Sequence, residues 1–409
     1  MSGPLDGIRI LDLTTVILGP YATQILGDMG ADVIKVETPD GDSTRYTGPG
    51  RSAGMAALFM GVNRNKRSIV LDLKKPDALE AIQALIDQAD VLVHNMRPQK
   101  AAKLGLSADR VLLRNPKIVF AGLYGYREGG AYSGRPAYDD VIQAQCGLAG
   151  LMSGEDGQPH FAPTVIADKT CGLAGAYSIL AALLKRERSG KGCVVEMPMF
   201  ETMASFVLVE HLYGKMFAGE GWHSGYTRLL NPWRRPHATK DGYIAVMAYS
   251  DVQWRRFWDE VGRPELNQDP RFASLASRTT HIAELYRLAG ESLKARTTAE
   301  WEEALTRLEI PNARVNSIEN LLDDPHLRDV GFFRPYEHES EGSLLFTDAP
   351  TRFDNETGVI RQGPPKLGQH SIEVLKEAGL ADGAIERLLS SGAAIGPRET
   401  VERRIIASR

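Results

Sequence analysis

Cysteine, long apolar runs and an excess of positive charge are all scarce in this chain. Its 409 residues contain three cysteines (Cys146, Cys171 and Cys193), an odd number without CxxC spacing. Such thiols favour a reducing compartment over a disulfide framework. No stretch of 18 apolar residues occurs, and the N-terminus lacks a basic segment followed by an apolar run. We therefore expect a cytoplasmic protein with neither a membrane span nor a signal peptide.

The charge balance and several missing motifs exclude further classes of function. A net charge of −4 does not suit a general nucleic-acid binder. The turn after the first strand-like run is TTVILGPYA, with Gly19 alone in place of GxGxxG, which gives no support for a nicotinamide cofactor. There is no P-loop and no HExxH, and the nine histidines are scattered. Neither a prosthetic group nor a metal is expected. GRSAG matches GxSxG but follows a turn rather than a strand, so Ser52 is not expected to be a nucleophile.

The first half of the chain alternates short β-branched runs with helical stretches. This pattern predicts an α/β fold with a doubly wound, mostly parallel sheet covered by helices on both faces. The strand-like runs are 8–13, 32–37, 68–73, 90–94, 117–124 and 193–197, and the clearest helical stretches between them are 22–30 and 77–89. The length of the chain makes two domains the natural expectation.

The composition changes near residue 220. Residues 220–241 are rich in Gly, Pro and aromatic side chains and predict a long irregular connection. Residues 242–329 predict a smaller α+β domain, and from 330 strand-like pieces resume the earlier pattern. The charged, Gly- and Ser-containing segment after 381 predicts a tail that docks on a partner or frays.

The segment IADKTCGLAG, at 166–175, opens a helix that continues to about 189 and ends in Lys and Arg before Gly190. Asp168 lies in its first turn, where the helix dipole keeps a carboxylate ionised, so it suits a nucleophile. An Asp at this position also commonly caps the helix, and the residues alone leave both roles open. Gly172 and Gly175 lower helix propensity, which indicates that another group approaches the backbone closely.

Two basic groups flank predicted strands. Arg64, Lys66 and Arg67 lie on the segment entering the strand at 68–73. Three more cations, Arg97, Lys100 and Lys103, follow the strand at 90–94. Because ligands of open α/β sheets bind at the carboxyl ends of strands, such cations suit a phosphorylated ligand. An ordinary solvated surface is the alternative.

Several blocks together resemble one family over nearly the whole chain. They are LDLTTVILGPYATQILGDMGADVIKVE, NRNKRSIVLDLK, HNMRP…KLGL, LYGYREGGAYSGRPAYDDVIQAQCGL, IADKTCGLAGAYSILAALL, RPHATKDGYIAV, IPNARVNS and APTRF…PPKLGQHS. In order and spacing these blocks are similar to the class III CoA-transferases, the formyl-CoA/crotonobetainyl-CoA transferase family.

The resemblance implies an interlocked homodimer in which 1–219 and 330–409 together build a large catalytic domain that binds CoA. It implies that Asp168 is the nucleophile and that acyl-CoA and a small carboxylic acid are the substrates. By the same resemblance, CoA contacts are expected from three cations and three apolar residues: Arg97, Lys103, Lys74, Val16, Ile17 and Leu71.

Two departures from the family pattern bear on the reaction. Racemases of the superfamily use a His where this chain has Tyr138, and a Tyr is a poor base at neutral pH, so transfer is favoured over racemisation. The glycine run of formyl-CoA transferase is replaced by SGYTRLLNPWRRPH. The cations of that segment (Arg228, Arg234, Arg235 and His237) predict a short dicarboxylic acid such as succinate as donor or acceptor. An α-methylacyl-CoA racemase or epimerase and a non-catalytic CoA-ester-binding protein stay open as alternatives.

Overall fold

The structure, a computed structural model, describes residues 3–153, 157–354 and 356–397. Its contacts divide the chain into two units. The first unit comprises Met1–Met152, Pro159–Val207 and Gly331–Arg409, and the second comprises Ser153–Gln158 and Leu208–Val330. The described residues before 153 and after 330 therefore belong to the same unit.

Strands and helices alternate from the start of the first unit. In order they are β1 (Arg9–Leu13), α1 (Leu18–Asp28), β2 (Asp32–Glu37), α2 (Ala57–Gly61), β3 (Lys66–Leu71), α3 (Pro76–Asp87), β4 (Val91–His94), α4 (Pro98–Lys103), α5 (Ala108–Arg114), β5 (Val119–Tyr124), α6 (Asp139–Gln145), α7 (Leu148–Leu151), α8 (Ile166–Ser189), β6 (Cys193–Pro198) and α9 (Met199–His211).

The second unit is mostly helical with a small sheet. Its elements are β7 (His237–Ala238), β8 (Tyr243–Val246), α10 (Asp251–Glu260), α11 (Leu275–Thr280), α12 (Ile282–Leu293), α13 (Thr298–Arg307), β9 (Asn312–Arg314), α14 (Ile318–Leu322) and α15 (Pro325–Asp329). The three strands pair antiparallel, with β8 in the centre. Trp254, Trp258, Leu285 and Trp301 lie in its core. The segment predicted as a connection at 220–241 belongs to this unit and contributes β7 to its sheet.

After residue 330 the chain completes the first unit. This part contains β10 (Phe333–His338), β11 (Gly342–Thr347), β12 (Arg352–Phe353), β13 (Glu356–Thr357), α16 (Ser371–Glu377), α17 (Asp382–Ser390) and β14 (Ala394–Ile395).

The main sheet of the first unit has the order β14-β3-β2-β1-β4-β5-β6. Its neighbours are parallel except for β14, which pairs antiparallel with β3. Apolar residues alternate between two hydrophobic cores, so that Ile10 faces one core and Leu11 the other. The prediction of an α/β fold with a large, mostly parallel sheet is confirmed.

Strand order reverses where β1 lies between β2 and β4. Chain segments leaving β1 and β4 turn in opposite directions at such a point, which leaves a crevice outside their carboxyl ends. The topology alone therefore places a ligand cleft next to the segments that follow Leu13 and His94.

The segment after 381 was predicted to be a tail that docks on a partner or frays. For residues 382–397 this prediction is wrong. Residues 382–390 form α17, and Ala394 pairs with Leu71 at the edge of the main sheet. Burial of Ala393 and Ala394 in the core holds this strand in place. Two apolar residues are too short a signal to predict a strand from sequence. Residues 398–409 lie outside the described residues.

Among the described residues, no helix combines the length and the apolarity that crossing a bilayer requires.

Candidate active site

A cleft of about 1110 Å³ lies at the predicted crevice. Its wall includes Thr15 and Val16 after β1, Asn95 and Arg97 after β4, and Asp168. Asn95 joins the first two segments, because its side chain accepts a hydrogen bond from the Thr15 N–H (3.1 Å) and donates to the Thr15 carbonyl (2.8 Å). Sequentially distant segments thus meet around one carboxylate.

Asp168 is the third residue of α8 and is 8% exposed. Val165, the residue before the helix, makes no side-chain capping bond. Within the described residues, no hydrogen bond reaches the carboxylate oxygens of Asp168 from a backbone or side-chain donor. Its geometry is that of a carboxylate left available in a cleft at the positive end of a helix.

A second carboxylate supports Asp168 from α6. Asp139 Oδ1 accepts the backbone N–H of Asp168 at 2.9 Å. Gln143, which is fully buried, donates to Asp139 Oδ2 and accepts the backbone N–H of Ala162 at 2.9 Å. Burial, and after it the Asp139 charge, raise the pKa of Asp168 to about 7. Asp139 has no predicted role of its own from sequence; its signal there is the acidic pair beside Tyr138.

One of the two glycines in α8, Gly172, allows the close approach of another group that the sequence predicts. A Cβ at Gly172 would lie 2.9 Å from the Leu18 carbonyl oxygen, closer than real Cβ contacts. A Cβ at Gly175 would lie 3.4 Å from Leu123, an ordinary contact. Gly172 therefore lets the first turn of α1 lie against α8 one turn beyond Asp168.

Cations line the mouth of the cleft. Arg97, Lys100 and Arg135 belong to its wall, and all three are exposed. Two of the predicted CoA contacts, Arg97 and Val16, thus lie in the same cleft wall as Asp168. Lys100 and Arg135 are cleft residues that were not among the predicted CoA contacts.

The other predicted contacts lie outside the cleft wall. Lys103 is exposed at the end of α4, and Ile17 is buried at the start of α1. Leu71 is buried at the carboxyl end of β3, and Lys74 is exposed just beyond it. For these four residues a CoA contact stays a prediction.

The basic residues before β3 have a structural role. From sequence they were considered as possible phosphate-binding residues. Arg64 pairs with Asp28 at 2.8 Å, Lys66 with Asp12 at 3.0 Å, and Arg67 with Asp32 at 2.7 Å. Sequence patterning could not reveal this, because each acidic partner lies 35 or more positions earlier in the chain.

Tyr138 lines the cleft and is 67% exposed. It precedes α6, and none of the hydrogen bonds within the described ranges involves its hydroxyl. In the described part of the chain, therefore, no partner activates Tyr138 as a base.

Three of the four residues predicted to bind the acid lie together in the second unit, where burial and then Arg235 lower the pKa of His237. Arg234, Arg235 and His237 line a depression of about 570 Å³. Arg228 donates from Nε to the Tyr286 hydroxyl at 3.0 Å and lies over the ring of Tyr249. Described His, Cys, Asp and Glu residues include no group of three placed to hold a metal.

Comparison with known proteins points to one family over most of the chain. The sequence model of CoA-transferase family III matches residues 5–371. The acyl-CoA transferase of Fusarium pseudograminearum is 34% identical over 405 residues, which cover 95% of this chain and 88% of that protein. The succinyl-CoA:glutarate CoA-transferase of Mus musculus is 32% identical over 394 residues, covering 95% of this chain and 90% of that protein.

Solved structures give the same result for the fold. The crystal structure of Rv3272 from M. tuberculosis, in its orthorhombic form, matches with a TM-score of 0.79 at 31% identity. The match covers 91% of this chain and 98% of that one.

Proposed function

Because this chain belongs to CoA-transferase family III, we propose that it moves CoA between two small carboxylic acids with Asp168 as the nucleophile. The observation that carries the proposal is the Asp168 carboxylate, which accepts no hydrogen bond from the described residues and lies in a cleft at the reversal of strand order. A carboxylate there is protected from bulk water yet open to a thioester.

The reaction proceeds by exchange of acyl bonds at Asp168. The carboxylate attacks the thioester carbonyl, the C–S bond breaks, and CoA leaves as a thiolate while a mixed anhydride forms. The thiolate attacks the aspartyl carbonyl of the anhydride and releases the donor acid as its carboxylate, which leaves an aspartyl-CoA thioester. The acceptor carboxylate attacks that thioester, and the freed thiolate then takes the new acyl group and regenerates Asp168. The steps balance without a redox cofactor or a metal.

Backbone N–H groups are required to stabilise the tetrahedral oxyanions. In the first turn of α1 the Leu18 and Gly19 N–H groups can supply them, since Ile17 provides no side-chain cap, Pro20 has no N–H and the Tyr21 N–H bonds to the Ile17 carbonyl. Leu18 in that turn is part of the cleft wall.

We assign the phosphates of CoA to the cations at the mouth of the cleft. Arg97 leads this assignment, since its guanidinium is exposed beside Asn95 at the carboxyl edge of the sheet. Lys103, Val16, Ile17, Leu71 and Lys74 complete the proposed CoA contacts.

We further propose a short dicarboxylic acid, such as succinate, as donor or acceptor. The mouse relative is named for succinyl-CoA and glutarate, two substrates with a second carboxylate. In the second unit, Arg228 is half-buried and has no acidic partner among the described residues. Its contacts with Tyr286 and Tyr249 orient a guanidinium whose remaining N–H groups suit a carboxylate.

A transfer screen tests the proposal. Succinyl-CoA or acetyl-CoA is incubated with C1–C6 mono- and dicarboxylic acids, new acyl-CoA is measured by mass spectrometry, and hydroxylamine is added to trap acylated protein. We expect transfer to be most efficient with dicarboxylic acids and the trapped peptide to contain Asp168.

Other outcomes of the screen identify the alternatives. Transfer confined to monocarboxylic acids would contradict the dicarboxylate assignment only. Deuterium incorporation at the α-carbon of a 2-methylacyl-CoA without any acceptor acid would indicate a racemase. Tight CoA binding with no turnover across the panel would indicate a binding protein and overturn the transferase mechanism.

We also propose an interlocked homodimer. Leu173, Tyr177 and Leu184 lie along one side of α8 and are 51%, 63% and 54% exposed. An apolar stripe at this spacing is typical of a helix covered by another chain. Sedimentation is expected to give a dimer that persists on dilution; a folded monomer at nanomolar concentration would refute this assembly.

A further inference from the structure

The turn between β1 and α1 contains a residue in a conformation that its side chain disfavours. Val16, in the cleft wall, has a φ of 72°. This left-handed region suits glycine, and a β-branched side chain is a clear outlier there. Such a conformation persists only where the surroundings impose it.

A buried charge pair is hydrogen-bonded to the backbone of this turn. Asp42 accepts the Val16 N–H with both carboxylate oxygens, at 3.2 Å each. Lys35 on β2 donates to Asp42 Oδ2 at 3.0 Å and to the Thr14 carbonyl at 2.9 Å. The pair therefore contacts the turn from both sides, through the carbonyl before Thr15 and the N–H after it.

The pair is completely enclosed, since both side chains are 0% exposed. Thr44 fixes Asp42 further by donating its N–H at 3.0 Å and its hydroxyl at 2.8 Å to Oδ1. A buried ion pair adds little stability over apolar side chains of similar volume, because both charges lose their hydration. The stability that this ion pair adds to the fold is therefore too small to explain why it is placed here, with its hydrogen bonds on a strained turn.

We propose that Asp42 and Lys35 are positioning residues that hold Val16 in its left-handed conformation and thereby fix the Val16 backbone and the start of α1 beside Asp168. This inference rests on the proposed function, because its effect is read as a rate of CoA transfer. Neither residue is part of the cleft wall; both act through the backbone of the turn.

The test is a double-mutant cycle on kcat. In an otherwise wild-type chain, Asp42→Asn is expected to lower kcat about 10- to 100-fold, because small misplacements of reacting groups are costly. Val16→Gly accepts a positive φ without steric conflict. In a chain that carries Val16→Gly, the further change Asp42→Asn is therefore expected to lower kcat less than about threefold.

A control separates positioning from simple destabilisation. Asp28→Asn breaks another buried pair, with Arg64, away from the cleft. It is expected to lower Tm while leaving kcat of the folded enzyme within about twofold. If Asp42→Asn does not fold, the double replacement Lys35→Met/Asp42→Asn removes both charges and takes its place in the cycle.

Equal losses of kcat with and without Val16→Gly, or an unchanged kcat in Asp42→Asn, would overturn the inference. The wild-type enzyme distinguishes failure of this inference from failure of the proposed function. If the proposed function is wrong, the wild type transfers CoA to none of the acids. Hydrogen exchange of the Val16 amide provides a readout independent of activity. It is expected to be slow in wild type and at least about tenfold faster in Asp42→Asn; an unchanged rate would contradict the role of Asp42.

Discussion

Asp168→Ala is expected to reduce CoA transfer by at least about 10⁴-fold, because the reaction loses the group that forms both covalent intermediates. The fold is expected to remain, since the Asp168 carboxylate makes no hydrogen bond within the described residues. Initial rates, with the donor and acceptor acids that the transfer screen identifies, measure the loss of activity. Circular dichroism at matched concentrations checks that the fold remains.

Asp109→Ala is the matched control. Asp109 also lies in the first turn of a helix, α5, but is exposed and outside the cleft wall. Loss of an acidic group from a helix terminus costs about 0.3–1 kcal/mol, and the transfer rate of this variant is expected to stay near that of wild type. Wild-type rates in Asp168→Ala would refute the nucleophile assignment.

The raised pKa of Asp168 predicts how rate and stability of the free enzyme depend on pH. With the pKa at about 7, kcat/KM for acyl-CoA is expected to rise about tenfold per unit below that pH and to level off above it. The neutral carboxyl favours the folded state, and this contribution is lost as the pH rises through about 7. At pH 8, Asp168→Ala is therefore expected to exceed the wild type in free energy of unfolding by about 2–4 kcal/mol.

Lys66→Met is expected to destabilise the first unit by about 3–5 kcal/mol, because it leaves the Asp12 carboxylate buried without its main partner. Lys66 and Asp12 are both fully buried and 3.0 Å apart. Burial opposes ionisation of Asp12, but Lys66 and then Lys35 hold its pKa at about 2. Differential scanning calorimetry at pH 7 measures the loss.

Two variants check the cause of this destabilisation. Asp12→Asn/Lys66→Met removes both charges and is expected to lose less than Lys66→Met alone. Lys191→Met changes an exposed lysine and is expected to shift stability by less than about 0.5 kcal/mol. A Tm difference of about 1 °C corresponds to a small fraction of 1 kcal/mol. If Lys66→Met and Lys191→Met differed in Tm by no more than this, the prediction would be contradicted.

The parallel sheet and the site carboxylate could be predicted from sequence because their signals are local. The strands of the main sheet are short runs with β-branched residues, and this pattern predicts β2 at its observed bounds, 32–37. Asp168 could be recognised, together with Gly172, because the signals that mark the start of a helix lie in consecutive residues. Strand β14 could not be found, since Ala394 is held by Leu71 more than 300 positions away.

Sequence alone therefore determined the family, the α/β sheet and the position of Asp168, each of which depends on neighbouring residues or on blocks of them. Tertiary structure decided which charges do what. Lys66 looks like a surface cation in sequence but lies buried on Asp12, whereas Lys100 lines the cleft. The same holds for Asp42, whose bond to Val16 spans 26 positions. The role of a buried charged side chain depends on the partner that replaces its hydrating water. In this protein most such partners are distant in the chain.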